Sequence, residues 1–340
     1  MMICDRVKLV EALKVVSPGL AGKAWLPLEM CFHFHSGRVW ASNGRLCYIV
    51  NAPAGLENFN AALRGDLLVP LLNSSQAVEV KFDVLDKEVI IKMGRTVSRF
   101  TLLAPKWGVP EETRQSLDTK LFLEGLKAVK ECAGTDPACP SRLGITFQID
   151  EGHLEFFSTN NLVISHFITP IQSPAEASYQ ISLVGAEAIL GISDIELVAF
   201  GPTSFHCVSK SGLEIFGSMY RESDVESYHT ILNTLPKDYH EQMFESGGIQ
   251  NVVERTAILS DGLKVKTKLS LVNRKLRFHT QSELGEIGDE VEVAVDGTVE
   301  VQVFPDTLVH AIVDMPKMAI TARCVIFKSS NCTRYVSVLS

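Results

Sequence analysis

Apolar residues recur at helical spacing in three stretches of the chain. Val10-Glu11-Ala12-Leu13-Lys14-Val15-Val16 is echoed 113 positions later by Leu123-Glu124-Gly125-Leu126-Lys127-Ala128-Val129. A fainter third copy is Ile249-Gln250-Asn251-Val252-Val253-Glu254-Arg255. Each predicts an amphipathic helix. After each helix the pattern shifts to the alternation of strands, clearest in Val78-Glu79-Val80-Lys81-Phe82 and Val89-Ile90-Ile91-Lys92-Met93. Strand pairs are predicted over 29–34 with 38–50, 143–149 with 153–169, and 265–271 with 275–295. Turn residues at Ser36-Gly37, Asp150-Glu151-Gly152 and Ser211-Gly212 mark hairpins. A short second helix follows near 66–73, 184–191 and 305–314, and further strands close each unit over 77–103, 195–220 and 319–339.

The offset is close to one third of 340 residues, so the pattern predicts a threefold internal repeat. Each unit combines two helices with mostly antiparallel strands, an α+β layer architecture. The connectors Ala104-Pro105-Lys106-Trp107-Gly108-Val109-Pro110 and 221–236 place the expected domains at 1–115, 116–230 and 231–340.

Composition narrows the functions available. With 46% hydrophobic and 21% charged residues the chain is expected to be globular rather than disordered or fibrous. Thirty-two Lys and Arg against 40 Asp and Glu give a formal charge of −8, which excludes coating nucleic acid through bulk positive charge. Local basic surfaces remain open. The start Met1-Met2-Ile3-Cys4-Asp5-Arg6 lacks a signal peptide's apolar core, and no uncharged apolar run reaches about 18 residues, so a soluble cytosolic chain without membrane contact is expected. The eight cysteines form no C-x-x-C pair and read as buried thiols.

Four short segments, in order along the repeat, carry a resemblance to a known family. Gly22-Lys23-Ala24-Trp25-Leu26-Pro27-Leu28 resembles a G-R-x-x-L-P-I segment after the first helix. Ser98-Arg99-Phe100-Thr101-Leu102, then Ala104-Pro105 and Val109-Pro110, resembles an S-R-F-x-L strand with its connector. Leu235-Pro236-Lys237 and Arg255-Thr256-Ala257-Ile258-Leu259-Ser260 are similar to the entry and first helix of the third domain. The family is the bacterial-type DNA sliding clamp, the β subunit of the replicative polymerase, and the chain looks like a divergent member, of cellular or viral origin. The resemblance implies three clamp domains per chain, a six-domain homodimeric ring, and no enzymatic activity or cofactor. Simple geometry agrees. Six domains roughly 30 Å across close a ring with a hole of about 27 Å, and three leave none. Duplex DNA, on the order of 20 Å wide, needs the larger ring, which two-fold symmetry closes.

The resemblance then implies three surfaces. The first helices would face double-stranded DNA without reading its sequence, through Lys8, Lys14, Lys23, Lys120, Lys127, Lys130, Arg142 and Arg255. The alternative is a solvated face, since Glu11, Glu124 and Glu131 are interleaved, and Glu187, Asp194, Asp306 and Asp314 leave the second helices acidic. The dimer seam would pack Phe100 and Leu102 against Ile258 and Leu259, with Arg95 and Arg99 facing Glu283, Glu286, Asp289 or Glu290. On that reading Phe100→Asp gives folded monomers; the alternative is that Phe100 and Leu102 are ordinary core. A partner pocket for short linear motifs of the replicative polymerase and clamp loader would use Thr159, Leu162, Ile164, Pro236, Val336, Val338 and Leu339. There the family's T-D-G-H-R-L falls on Thr159-Asn160-Asn161-Leu162-Val163-Ile164, and Tyr335 to Ser340 resembles a Y-V-V-M-P-M-R-L chain end two residues short. The alternative is a plain buried strand.

Rival chemistry is sparse. Cys31, His33 and His35 share one strand face and could offer a metal one sulfur and two imidazoles, but no second cluster has ligand spacing, and a half-exposed strand accounts for them better. Cys132 and Cys139 bracket a proline-rich loop that could hold a redox pair. No phosphate-cradling glycine loop, H-E-x-x-H or G-x-S-x-G occurs. The remaining alternative is a scaffold or enzyme, unrelated to DNA, built on tandem α+β repeats.

Overall fold

The structure, a computed structural model, describes residues 1–23, 26–106, 114–134, 143–172, 176–220, 225–239, 242–260 and 265–339. Arg142, Ser340, Val109-Pro110 and the Cys139 loop of the sequence expectations lie outside the described residues. The chain is α+β, and among the described residues every pairing between its strands is antiparallel. Among the described residues there are seven α-helices: α1 Arg6–Val16, α2 Gly65–Asn73, α3 Thr119–Val129, α4 Leu183–Leu190, α5 Val225–Thr234, α6 Ile249–Ala257 and α7 Pro305–Ile312. None is long and apolar enough to cross a membrane.

The chain divides into two compact units, Met1–Thr119 with Glu187–Met219, and Lys120–Ala186 with Tyr220–Ser340. The first unit holds a four-stranded sheet in the order Met2–Asp5, Glu79–Val84, Glu88–Met93, Thr96–Thr101. A longer sheet beside it begins with Ala61–Arg64, Cys31–His35, Arg38–Ser42 and Leu46–Asn51. It continues through Glu214–Tyr220, Ser204–Ser209, Ile195–Phe200 and Gln115–Leu117. Helix α1 begins where the Asp5 carboxylate accepts from the Lys8 backbone N–H at 3.0 Å. It buries Leu9, Leu13 and Val16, the i, i+4, i+7 stripe expected of it. The core beneath it contains the ring chain Phe34, Phe59 and Phe82, with centroids 5.0 and 4.9 Å apart.

The second unit repeats the plan. Its four-stranded sheet runs Gly285–Glu292, Lys275–Ser282, Thr267–Val272, Thr298–Val303. Its longer sheet begins with Phe244–Glu245, Lys317–Ile320, Cys324–Lys328 and Cys332–Ser337. It continues through Val163–Pro170, His153–Thr159, Ile145–Asp150 and Ala177–Ile181. Phe122, Phe147, Phe156 and Phe167 fill its centre. Gly125 lets α3 sit on them: a Cβ there would meet the Phe156 ring at 2.3 Å.

Two expectations change. The 221–236 stretch, read as a connector, contains α5, whose apolar face packs on Phe157 and Ile164. The strand carrying Cys31, His33 and His35 is buried on both faces rather than half exposed. There the Cys31 thiol donates to the Pro27 carbonyl at 3.4 Å, and His33 stacks on Trp40. His33 Nδ1 accepts from the Lys106 backbone N–H (3.3 Å) while Nε2 faces the Leu28 carbonyl (3.0 Å), an arrangement that fixes the neutral imidazole. The seven described cysteines are all free and buried.

Candidate functional site

A hairpin and two neighbouring elements in the second unit build a pocket of about 150 Å³. The hairpin joins His153–Thr159 to Val163–Pro170, with Thr159 opposite Ile164. Its turn is held by side chains. The Asn160 amide oxygen accepts from the N–H groups of Leu162 and Val163 at 3.0 and 2.9 Å, and Thr159 Oγ1 donates to the Val163 carbonyl at 2.6 Å. Asn161 has φ +75°, a conformation that asparagine tolerates better than other side chains. This is the position where the resembled segment has glycine, so the replacement keeps the turn.

Helix α5 forms one wall with Ile231 and supports Leu235, just after its end; Arg323, Cys324, Tyr335 and Ser337 form the other. The helix is anchored at Tyr228, which stacks on Phe157 at 5.3 Å, and at His229. His229 Nε2 lies 2.9 Å from Gln148 Nε2 and 3.7 Å from Glu155, and His166 reaches the same Glu155 oxygen at 3.5 Å. Burial works to raise the Glu155 carboxyl, but its close contact with His166, then His229 and Gln148, outweighs it and holds it below the usual carboxylate range. Burial pushes the Tyr335 phenol well up, reinforced by Tyr239, whose ring meets it edge-on at 6.3 Å. Burial also raises the Cys324 thiol. Among the described residues the lining is therefore neutral around pH 7 except for one guanidinium.

Of the expected pocket residues, Thr159, Leu162 and Ile164 line the cavity. Pro236, Val336, Val338 and Leu339 do not. The strand's period of two explains the difference at its end: Cys332, Arg334 and Val336 point into the core, leaving Tyr335 and Ser337 for the cavity. Leu339 instead bridges to Gln302 through its backbone.

The other expected surfaces also resolve residue by residue. Lys8 and Lys14 on α1, Lys120 and Lys127 on α3, and Lys23 are exposed, and none of the five ion-pairs with a described residue. Lys130 is half buried and lies 3.2 Å from Glu131. Arg255 on α6 is engaged within its own unit, its Nε donating to Asp289 at 2.8 Å, so it is not a free cation as expected. Each four-stranded sheet has an open edge. Among the described residues Thr96–Thr101 pairs only with Glu88–Met93, and Gly285–Glu292 pairs only with Lys275–Ser282. Arg95 and Arg99 are exposed at the first edge, with Val97 56% accessible. Phe100 and Leu102 instead pack against the unit's own core, as ordinary sheet residues do. Glu283 and Glu286 are exposed at the second edge, Leu284 is 84% and Ile258 is 73% accessible, and Leu259 is half buried.

No protein-family profile and no curated protein sequence matches the chain. Solved structures do, over its full length. The DNA polymerase β subunit of Streptococcus pyogenes superposes at a TM-score of 0.83 with 14% identity, covering 99% of both chains. The Bacillus subtilis sliding clamp gives 0.82 at 13% identity, over all of this chain and 98% of the other. A Pseudomonas aeruginosa sliding clamp bound to griselimycin gives 0.80 at 13%, over 100% and 99%. The fold is that of a bacterial sliding clamp. At such identities the likeness is one of fold.

The clamp fold clarifies which sequence signals were missed. Ile231 and Leu235 belong to the apolar series Val225, Tyr228, Ile231, Leu232, Leu235, a helical pattern inside a stretch whose ends look like linker. Arg323 had no sequence signal, because a turn arginine is ordinary until the turn is placed beside a cavity.

Proposed function

We propose that this chain is a DNA sliding clamp: a processivity factor that holds a replicative polymerase on double-stranded DNA by enclosure, without catalysis of its own. Two copies join the Thr96–Thr101 edge of one to the Gly285–Glu292 edge of the other, twice, closing a ring of six domains with boundaries near residues 115 and 230. Duplex DNA passes through without sequence recognition, beside the exposed lysines at 8, 14, 23, 120 and 127, with Lys130 close by. Polymerase and clamp loader dock short apolar motifs in the pocket walled by α5. The working place of such a protein is the cytoplasm of a bacterium, at the nucleoid or in an infected cell.

The observation that carries this reading is the clamp fold over the whole length of the chain. The two open edges support it by their charge, arginine on one and glutamate on the other, because edge strands left unpaired invite association. Enclosure suits the chain's overall charge of −8, since retention by topology needs no tight phosphate contacts. The test is retention on nicked circular DNA. A clamp elutes near twice 37.4 kDa, stays on the circle through dilution, and is lost when the circle is cut. Equal loss from circles and linear DNA would overturn the proposal.

A further inference from the structure

Resting on the pocket reading above, we propose that the segment this pocket accepts is an internal peptide stretch carrying one large apolar side chain and, close to it, an aspartate or glutamate that pairs with Arg323. The cavity's size sets the first part: about 150 Å³ is the space that takes one benzene-sized group, hence one leucine or phenylalanine side chain. Its apolar walls, Leu162, Ile164, Ile231 and Leu235, suit that anchor.

The charge at the rim sets the second part. Among the described residues no carboxylate lines the pocket, in a chain where Asp and Glu outnumber Lys and Arg by 40 to 32. Among the described residues Arg323 is its one ionic group, exposed and paired with none of them. Its side chain stands on a pinned turn. Thr321 Oγ1 accepts from the N–H groups of Arg323 and Cys324 at 3.3 and 3.0 Å, and the Thr321 N–H donates to the Cys324 carbonyl at 3.0 Å. The backbone is thus already ordered, and a planar fork of N–H donors is presented to whatever lies in the cavity. Arginines elsewhere in the chain engage Glu214, Asp66 and Asp289. A partner carboxylate gives Arg323 the same complement, whereas a basic residue in that place would be repelled.

The probe is a random heptapeptide library displayed with its C-terminus fused, so that only side chains can supply a carboxylate. It is panned on the full-length protein and on Leu162→Arg, which fills the pocket, with circular dichroism confirming that variant's fold. Clones that bind the native chain and not Leu162→Arg should pair a leucine or phenylalanine with an acidic residue. As an amidated peptide, the leading clone should bind five- to tenfold more weakly after Asp→Asn. On Arg323→Met that change should cost less than twofold, and Arg323→Glu should select lysine or arginine instead. Pocket-dependent clones without acidic enrichment, or an equal Asp→Asn loss on Arg323→Met, overturn the inference and leave the pocket standing. An absence of any Leu162→Arg-sensitive clone overturns both.

Discussion

Arg334 offers the sharpest test of how the second unit is held together. Its residue is 2% exposed, yet the guanidinium meets no carboxylate among the described residues. Nη1 instead faces the carbonyls of His310, Ala311 and Val313 at 3.1, 3.1 and 2.8 Å, and Nη2 donates to the Ala128 carbonyl at 2.7 Å. Ala128 lies in the last turn of α3; His310 and Ala311 lie in the last turn of α7. The final carbonyls of a helix have no intrahelical donor and carry roughly half a negative charge together. Two such ends sum to about one unit, which is why a buried cation can rest there without an acid.

Arg334→Met keeps most of the volume and removes the charge and every donor. Four carbonyls, buried or partly buried, then lose the guanidinium. Hydrogen bonds to a charged group contribute about 1.5–3 kcal/mol each, but Nη1 shares two hydrogens among three acceptors, so the full sum is an overestimate. Breaking a buried ionic arrangement typically costs about 3–5 kcal/mol, and that range is expected here. Arg334→Lys keeps the charge but not the fork, and about half that loss is expected. Urea unfolding followed by far-UV circular dichroism gives the magnitude, and amide exchange locates it, with protection falling at 126–132 and 310–315. A loss below about 1 kcal/mol in Arg334→Met would show that the two helix ends need no shared cation, and the reasoning would fail. Tyr335 follows directly in the chain and lines the pocket, so the same variant should also weaken peptide binding.

Gly125→Ala drives a methyl to 2.3 Å from the Phe156 ring and should cost about 1–3 kcal/mol in a thermal or urea melt, whereas an overpacking-tolerant core would show no change. Because the Glu155 carboxyl is depressed in the folded chain, its stabilisation is complete above the unfolded value of about 4.3 and is lost as pH falls through the lower folded value. Unfolding free energy measured from pH 5 to 3 should thus fall less steeply in Glu155→Gln than in the native chain. Burial, only partly offset by the Leu28 carbonyl, lowers the His33 imidazole. Stability from its neutral form is full above about pH 6.5 and declines below, and NMR titration should find that ring's midpoint below the ordinary imidazole value. At the proposed seam, Arg95→Glu with Arg99→Glu should give monomers in sedimentation velocity, as should Glu283→Lys with Glu286→Lys. Mixing the two variants should restore dimers, since each of the two seams then joins an acidic edge to a basic one. Persistent dimers of either variant alone would place the seam elsewhere. Phe100→Asp is a poor test by comparison, because Phe100 packs on its own core and the substitution should unfold the sheet.

The helical and strand periods were legible because burial dictates them. The repeated helices begin and end close to their apolar stripes, and the long strand stretches break where the backbone must turn, as at Asn43, whose amide oxygen accepts from Arg45 and Leu46. Helix α5 was obscured because its stripe is short and lies between linker-like ends. Met2–Asp5 and Gln115–Leu117 were missed for a related reason: three or four residues carry too little alternation to stand out, and their pairing is supplied by distant partners, Glu79–Val84 and Ile195–Phe200.

The pocket was half legible for a different reason. Thr159, Leu162 and Ile164 were found because a hairpin turn constrains its own sequence, and Asn161 keeps that constraint at φ +75° where glycine had been the expected residue. On the final strand the resemblance indicated the right segment but not the face, and apolarity favoured Val336 and Val338. An apolar residue at a strand position says only that one side is dry; the neighbouring helix decides which side. Here α7 and the Arg334 cation occupy one face and α5 overhangs the other, so the cavity takes Tyr335 and Ser337. A chain of the clamp fold at 11–16% identity to others of that fold can therefore keep the turn and the helix that shape a groove while changing the groove's chemistry. Arg323 is where such a change would be felt by a partner, since it alters what the cavity attracts without altering how the cavity is built.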